Sequence, residues 1–417
     1  MNTPSTSFFD NIIVGSGFAG MSAGFELQRR NHTFHILEGA SFTGGRARLV
    51  DPSFNVDINL EIGGSFVHDV PNLQSFADSV GASPPDSMLA SLKNTPYWLY
   101  DDGWVSERSA VSNDNLWINN TWHEFLQTNI YPSVQNDITF GCTVTTIDYS
   151  DPAIIQLTCA DQRVFTANKV IIAVSPGILK AGSITFTPTL PAATQSAING
   201  ISYLSAIKMY IEFDTDFYSE RGSFSLYGQN SKNPSGYDEY FCWDAALAQG
   251  TQRNILGCLL SGASAQSNAG VNVVDILDNV LFALDEAFGS QATSSYVQHT
   301  IKDWSIDPFA RGAWTDYDVL GGDSGAVYDA MADSPIENRI FFAGEYLSRT
   351  DQFGNMDTAA VSGQVAACLL TGDMTSAWDG PCGHSSAGIR GTATMFGSVF
   401  GAGVTTAVIM FVLMVVV

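Results

Sequence analysis

The chain has 417 residues, 45% of them apolar and 12% aromatic, which suits two globular domains and excludes a disordered or low-complexity protein. With 42 acidic against 18 basic residues its net charge is −24, and no basic stripe interrupts that field, which argues against nucleic acid as a partner. The field favours cations, but charge alone names no ligand.

In chain order, residues 8–20 read as a strand, FFDNIIV, followed by the glycine turn GSGFAG, which opens a helix through MSAGFELQRR. HTFHILE is a second strand, so the chain begins with a βαβ-type unit. Residues 72–135 are mixed, broken at Pro84 and Pro85, with a Trp-rich, helix-like stretch at LWINNTWHEFLQT. CTVTTIDYS and AIIQLTCA predict a hairpin around Asp151–Pro152, and NKVIIAVSP predicts a buried strand entering a turn. Several strands and one helical pattern, VVDILDNVLFALDEAFG, fill residues 185–300. Among them YLSAIKMYIEFD reads as a strand, yet Lys208 sits in its middle. A lysine there needs either a solvent-facing side or a task that justifies its desolvation. RIFFAGE predicts another buried strand, and DTAAVSGQVAACLLT a helix whose small residues let it pack closely. Residues 375–390 read as a polar linker, and no internal repeat is present.

The six cysteines are too few for a disulfide scaffold in a chain of this length. Cys142 and Cys159 flank the hairpin, Cys242 and Cys258 are spaced alike, and Cys368 and Cys382 lie near the C-terminus. Disulfides and buried thiols fit equally well, and no Cys/His spacing suggests a metal. NHT at Asn31 and NNT at Asn119 match the N-glycosylation pattern, which also arises by chance. MNTPSTSFFDNIIVG has no basic region and no apolar run ahead of its strand, so it does not read as a signal peptide. From Gly391 to Val417 there is no charge, and the chain closes on FGAGVTTAVIMFVLMVVV. About 20 apolar residues span a bilayer, so a C-terminal tail anchor in a membrane is expected over residues 396–417. The alternative is a GPI signal, with the small residues SSAG at 385–388 ahead of a short spacer.

Two motifs carry chemistry. In GSGFAG, Gly15 permits a tight turn, Gly17 lets the backbone approach a pyrophosphate, and Gly20 lets helix and strand pack closely. Glu38, at the end of the next strand, is placed to accept hydrogen bonds from a ribose, and an acid there disfavours a 2′-phosphate. TGGRAR follows, where Gly44 and Gly45 again allow close approach and Arg46 can pair with a pyrophosphate oxygen.

This order of motifs resembles the flavin-containing amine oxidases: monoamine and polyamine oxidases, L-amino acid oxidases and histone lysine demethylases. EIGGSFVHD, with Gly63, Gly64, Ser65 and His68, resembles the segment that lies over the flavin, closest to the polyamine oxidase version ending in histidine. VTTID resembles the strand whose first valine, here Val144, contacts adenine. RIFFAGEYLS with GNMDTAAVSG resembles the C-terminal signature, placing Glu345 at the ribityl–pyrophosphate and Met356 at the pyrimidine end of the ring system. SAIKMYIEF resembles the strand whose lysine, here Lys208, holds a water at flavin N5. The resemblance therefore implies that Lys208 is desolvated for a task. It further places His68 toward the substrate amine or, as a satisfied histidine, beside the flavin.

There are departures. Ala40 and Phe42 stand where the family often has further arginines, which concentrates phosphate neutralisation on Arg46 and helix dipoles. RGAWTDY has Ala313 where monoamine oxidases bind the flavin through cysteine, so FAD is expected to be non-covalent. Trp314 and Asn355 occupy the places of the two tyrosines that sandwich the amine in those enzymes. Trp304 and Trp314 read as pocket lining or as ordinary core.

The resemblance implies an α/β fold: a Rossmann-like FAD domain from residues 8–80, 136–182 and 302–374, and an inserted mixed α/β substrate domain from 81–135 and 183–301. The expected reaction is FAD-dependent oxidation of an amine C–N bond, with hydride passing to N5 and O2 as acceptor giving H2O2. The competing readings are an L-amino acid oxidase or C–C-oxidising relative, and a membrane-anchored flavoprotein without catalysis. The amino acid oxidase needs an arginine for the carboxylate, and Arg108, Arg221 and Arg253 offer no clear candidate.

Overall fold

A computed structural model describes residues 7–82, 89–91, 97–101, 104–108, 114–230, 233–316, 324–348 and 353–372. The expected linker and membrane segment beyond residue 374 lie outside them. Among the described residues no helix is long and apolar enough to cross a membrane.

The first strand, Ser7–Val14, runs parallel to His35–Leu37 on one side and to Val164–Ile172 on the other. Ile138–Thr139 and Ile340–Phe342 extend this parallel layer at its two sides. Ile12 and Ile13 are fully buried, as a central parallel strand covered on both faces requires. The strand Val164–Ile172 serves two sheet regions: its first half pairs antiparallel with Ile155–Cys159, closing the predicted hairpin with Val144–Asp148, and its last residues pair with Ile340–Phe342. Helices Phe18–Arg29 and Met356–Thr371 lie against one face of the sheet. The hairpin and helices Ala192–Gly200 and Ser324–Met331 build the core on the other.

A second, seven-stranded sheet has Ala206–Phe213 between Tyr296–Asp303 and Asn254–Ser261. Side chains alternate along that strand. Ile207, Met209, Ile211 and Phe213 pack with the amphipathic helix Val273–Phe288. Ala206 and Tyr210 point the opposite way, into the core with Trp243, Trp304 and Trp314. Lys208 shares their face.

Two domain boundaries differ from the sequence expectation. Trp122, Phe125, Leu126, Ile130 and Val134 pack with the first helix, so residues 122–134 belong to the nucleotide-binding layer. Strand Thr185–Thr187 joins the hairpin sheet, and Ala197, Ile198 and Ile201 complete its core, so the substrate sheet begins only near residue 203. Hydrophobic pattern marks that a face is buried and leaves open against which partner. The Trp-rich stretch also divides: Asn115–Trp117 is a strand, and helix begins at Trp122 with Thr121 as N-cap.

Candidate active site

The C-terminal edges of the parallel strands and the inner face of the second sheet together line a cavity with an open mouth. Gly15 adopts φ +102°, a conformation that favours glycine. Gly20 lies one helical turn on, and a Cβ there would fall 1.9 Å from the Gly15 carbonyl oxygen. Gly17 caps the first helix, and Gly44 N–H donates to Ser16 O at 2.9 Å, which draws the two glycine motifs together. Gly15, Gly17, Gly45, Gly63, Gly64 and Val144 all line the cavity, while Gly20 acts behind it through packing.

Glu38 is buried at the end of the second strand. One carboxylate oxygen accepts from Ser16 N and Oγ, both at 2.7 Å, and the other from Ala40 N at 2.7 Å. A carboxylate offers about four lone-pair sites, so capacity for ribose hydroxyls remains. Arg46 and Glu345, both assigned to the cofactor, meet at 2.9 Å, and Arg46 also donates to Ala313 O at 2.5 Å. Glu345 further accepts from Thr315 N at 3.3 Å and Gly354 N at 3.1 Å. Burial opposes the charge on Arg46, but Tyr203 and Glu345 outweigh it and raise its pKa. Met356 begins the last helix at the cavity wall, with Asn355 as its N-cap and no side-chain cap, so the positive end of a 16-residue helix opens there.

Lys208 is 2% exposed and lines the cavity. It donates to Gly63 O at 2.5 Å and to Ser65 Oγ, and lies 5.5 Å from the centroids of both Tyr210 and Trp243. Burial lowers its pKa to about 7, against the pull of Glu61. The bland reading, an ammonium snorkelling to solvent, is excluded by that burial. Ser65 stands behind Lys208: its hydroxyl contacts Glu61 O and Tyr210 Oη, both at 3.1 Å, and lines a second, smaller cavity.

Of the expected substrate residues, Trp304, Trp314 and Asn355 line the main cavity. Trp304 Nε1 donates to Ile62 O at 3.1 Å, so that ring is also core. Trp314 Nε1 is buried without a partner among the described residues. His68 is not among the lining residues; its Nδ1 lies 2.6 Å from Asp114 Oδ1. Arg253 is engaged by Glu212 through two contacts of 2.6 Å and does not line the cavity. The side chains of Arg108 and Arg221 lie outside the described residues.

Two residues at or behind the cavity wall escaped the sequence reading. Arg48, two residues past Arg46, lines the cavity with its guanidinium 4.2 Å from the Phe42 ring centroid and 5.0 Å from that of Trp304. Its contacts to Asp307 and Gly45 O are long, at 3.3 and 3.4 Å, and its buried Nε has no partner among the described residues. Phe42, in the place of a family arginine, lies under that guanidinium. The only signal was the second arginine of GGRAR. Glu61 opens the segment EIGGSF, and its buried carboxylate accepts from Trp122 N at 2.9 Å and His123 N at 3.1 Å, at the start of a helix. Burial raises its pKa well above the usual value, and Lys208 pulls the other way.

A glycine cradle on a helix N-terminus, a buried acid at the end of the second strand, the cations Arg46 and Arg48, and buried donors of Arg48 and Trp314 with no partner among the described residues fit a dinucleotide that ends in a large ring system. Fold and site together define a two-domain flavoprotein. A family model described as flavin containing amine oxidoreductase matches residues 124–371, more than half of the chain, and one for an NAD(P)-binding Rossmann-like domain matches residues 13–80. The chain belongs to the flavin containing amine oxidoreductases, and its cofactor is FAD.

It is similar to human lysine-specific histone demethylase 2, at 25% identity over 51% of this chain and 25% of that one. It is also similar to protein FLOWERING LOCUS D of Arabidopsis thaliana, at 29% identity over 51% of this chain and 26% of that one. The match thus spans about a quarter of each relative's length. Among solved structures, putrescine oxidase bound to putrescine aligns with a TM-score of 0.68 and 17% identity, over 88% of this chain and 100% of that one. Cyclohexylamine oxidase from Brevibacterium oxydans aligns with a TM-score of 0.69 and 17% identity, over 88% and 99%. These structural likenesses show the fold.

Proposed function

We propose that the chain is an amine oxidase that oxidises the C–N bond of a small amine, with non-covalently held FAD and O2 as acceptor. The observation that carries this reading is Lys208, an ammonium buried at the cavity wall, fixed by Gly63 O and Ser65 and tuned by burial to a pKa of about 7. A buried cation on a core strand is costly, and such groups concentrate where chemistry uses them. Bound FAD supplies the redox chemistry, accepting a hydride from the carbon next to the amine nitrogen and passing two electrons to O2, which leaves as H2O2. The substrate loses two electrons and two protons to become an imine, which water hydrolyses to a carbonyl compound and an amine.

The protein's part is positioning and electrostatics. Lys208 places positive charge and a water-holding donor at the reacting face. Trp304 and Trp314 wall the cavity with rings, and desolvation beside them favours the neutral, reactive amine. Ala313 offers no nucleophile for a flavin bond. The acidic surface draws cationic amines toward the protein. Putrescine and cyclohexylamine, named for the structural relatives, are the first amines to try. The test is an anaerobic panel of mono-, di- and polyamines, read by bleaching of the bound flavin. Bleaching by at least one, with H2O2 on admitting air, is expected; a flavin that no amine reduces overturns the reading.

A further inference from the structure

Cys142 is joined to Cys159 and Cys242 to Cys258. All four are between 0% and 1% exposed. Cys242 and Cys258 face each other across neighbouring antiparallel strands, and Cys142–Cys159 ties the two arms of the hairpin that borders the cofactor cavity. Cys368 is disulfide-bonded as well, and no described cysteine is free. Once these sheets have closed, no oxidant reaches the sulfurs. The bonds must therefore form while the chain folds, which requires an oxidising folding compartment and excludes one held reducing by glutathione and thioredoxin.

The two Asn-X-Thr triplets supply an independent observation. Asn31 lies just past the first helix at φ 59°, its N–H donating to Gln28 O at 2.9 Å, and is exposed. Asn119 is exposed at φ 50° in the turn between strand Asn115–Trp117 and helix Trp122–Asn129. Asparagine tolerates this left-handed conformation, so a purely conformational role accounts for each residue alone. In both turns a threonine two places on completes the acceptor triplet; Thr121 also caps the following helix, and Thr33 Oγ1 also donates to Asp10. Neither asparagine lines the cofactor cavity, so a glycan on either leaves that cavity open.

We infer that this chain folds in an oxidising, glycosylating compartment and carries N-linked glycans on Asn31 and Asn119. In that transfer the Nδ2 atom of asparagine bonds to the anomeric carbon of a lipid-pyrophosphate-linked oligosaccharide. The lipid pyrophosphate leaves, and the amide gives up one proton.

The full chain, isolated from its source cells without reductant, is the material for the test. Thiol titration after denaturation is expected to find none of the four paired cysteines free. Peptide N-glycosidase in heavy-oxygen water is expected to leave labelled acid at both asparagine positions and to lower the apparent mass in two steps. Asn31→Gly and Asn119→Gly keep the positive φ and should each remove one step while FAD loading is retained. Titratable thiols at the buried pairs overturn the compartment, and an unlabelled peptide overturns that acceptor.

Discussion

Arg46 and Glu345, 299 positions apart in the chain, form a 2.9 Å ion pair at the wall of the FAD cavity. The pair fastens the glycine-rich loop to the C-terminal signature. Removing one partner of a buried pair leaves the other uncompensated, at a cost of roughly 3–5 kcal/mol where burial is complete. Arg46 retains 20% side-chain exposure, so Arg46→Ala is expected to cost less than that, about 2–3 kcal/mol. Denaturant unfolding of the apoprotein measures it. An unchanged midpoint would show that solvent already screens the pair.

Arg48→Gln is expected to raise the Kd for FAD by about tenfold while the apoprotein stays folded, because a charge-assisted contact to phosphate contributes about 1.5 kcal/mol. Reconstitution titrated by flavin fluorescence reads the change. The salt dependence of Kd should weaken in the variant. Equal affinity and equal salt dependence would leave Arg48 as a packing residue stacked on Phe42 and Trp304.

Lys208→Met keeps the stem and removes the ammonium, so folding and FAD content should persist. Reoxidation by O2 is expected to slow by about tenfold to a hundredfold, since the positive charge that stabilises developing superoxide is gone. With its pKa lowered to about 7, Lys208 loses its proton as pH rises through that value. The wild-type reoxidation rate should therefore fall above pH 7, and the variant should show no such step. Rapid mixing across pH 6–9 separates the outcomes, and a wild-type profile in the variant would sink the assignment.

Asp357, buried beside Met356 near His68 and Asp69, has its pKa raised to about 6 by burial, with the Thr358 amide and His68 pulling the other way. The folded state thus holds this proton more tightly than the unfolded chain does, and stability falls as pH rises from about 4 to 6. Above that window the penalty is complete. Asp357→Asn should stabilise the protein at pH 7–8 by up to about 2–3 kcal/mol and give no gain at pH 4. Thermal melts at the two pH values test the sign.

Acid precipitation is expected to release all of the yellow chromophore, because Ala313 cannot bond a flavin. Flavin retained in the pellet would refute non-covalent binding.

The sequence determined the parts whose physics is local. Gly15, Gly17 and Gly20 write a turn and a close approach into six residues, and Glu38 follows at the end of the next strand, so the nucleotide-binding unit was legible without partners. Apolar and β-branched residues likewise marked YLSAIKMYIEFD as a strand. Which of its faces met the cofactor, and hence whether Lys208 was buried or solvated, was set by Trp243 and Gly63, residues distant in the chain. The helix at Trp122 begins where it does partly because Glu61, 61 positions earlier, accepts its first amides. Arg48 became visible only when Asp307 and Trp304 closed around it, and Ser65 moved behind Lys208 for the same reason. Desolvation and the choice of partner across a cavity are properties of the packed molecule, and tertiary structure alone decided them.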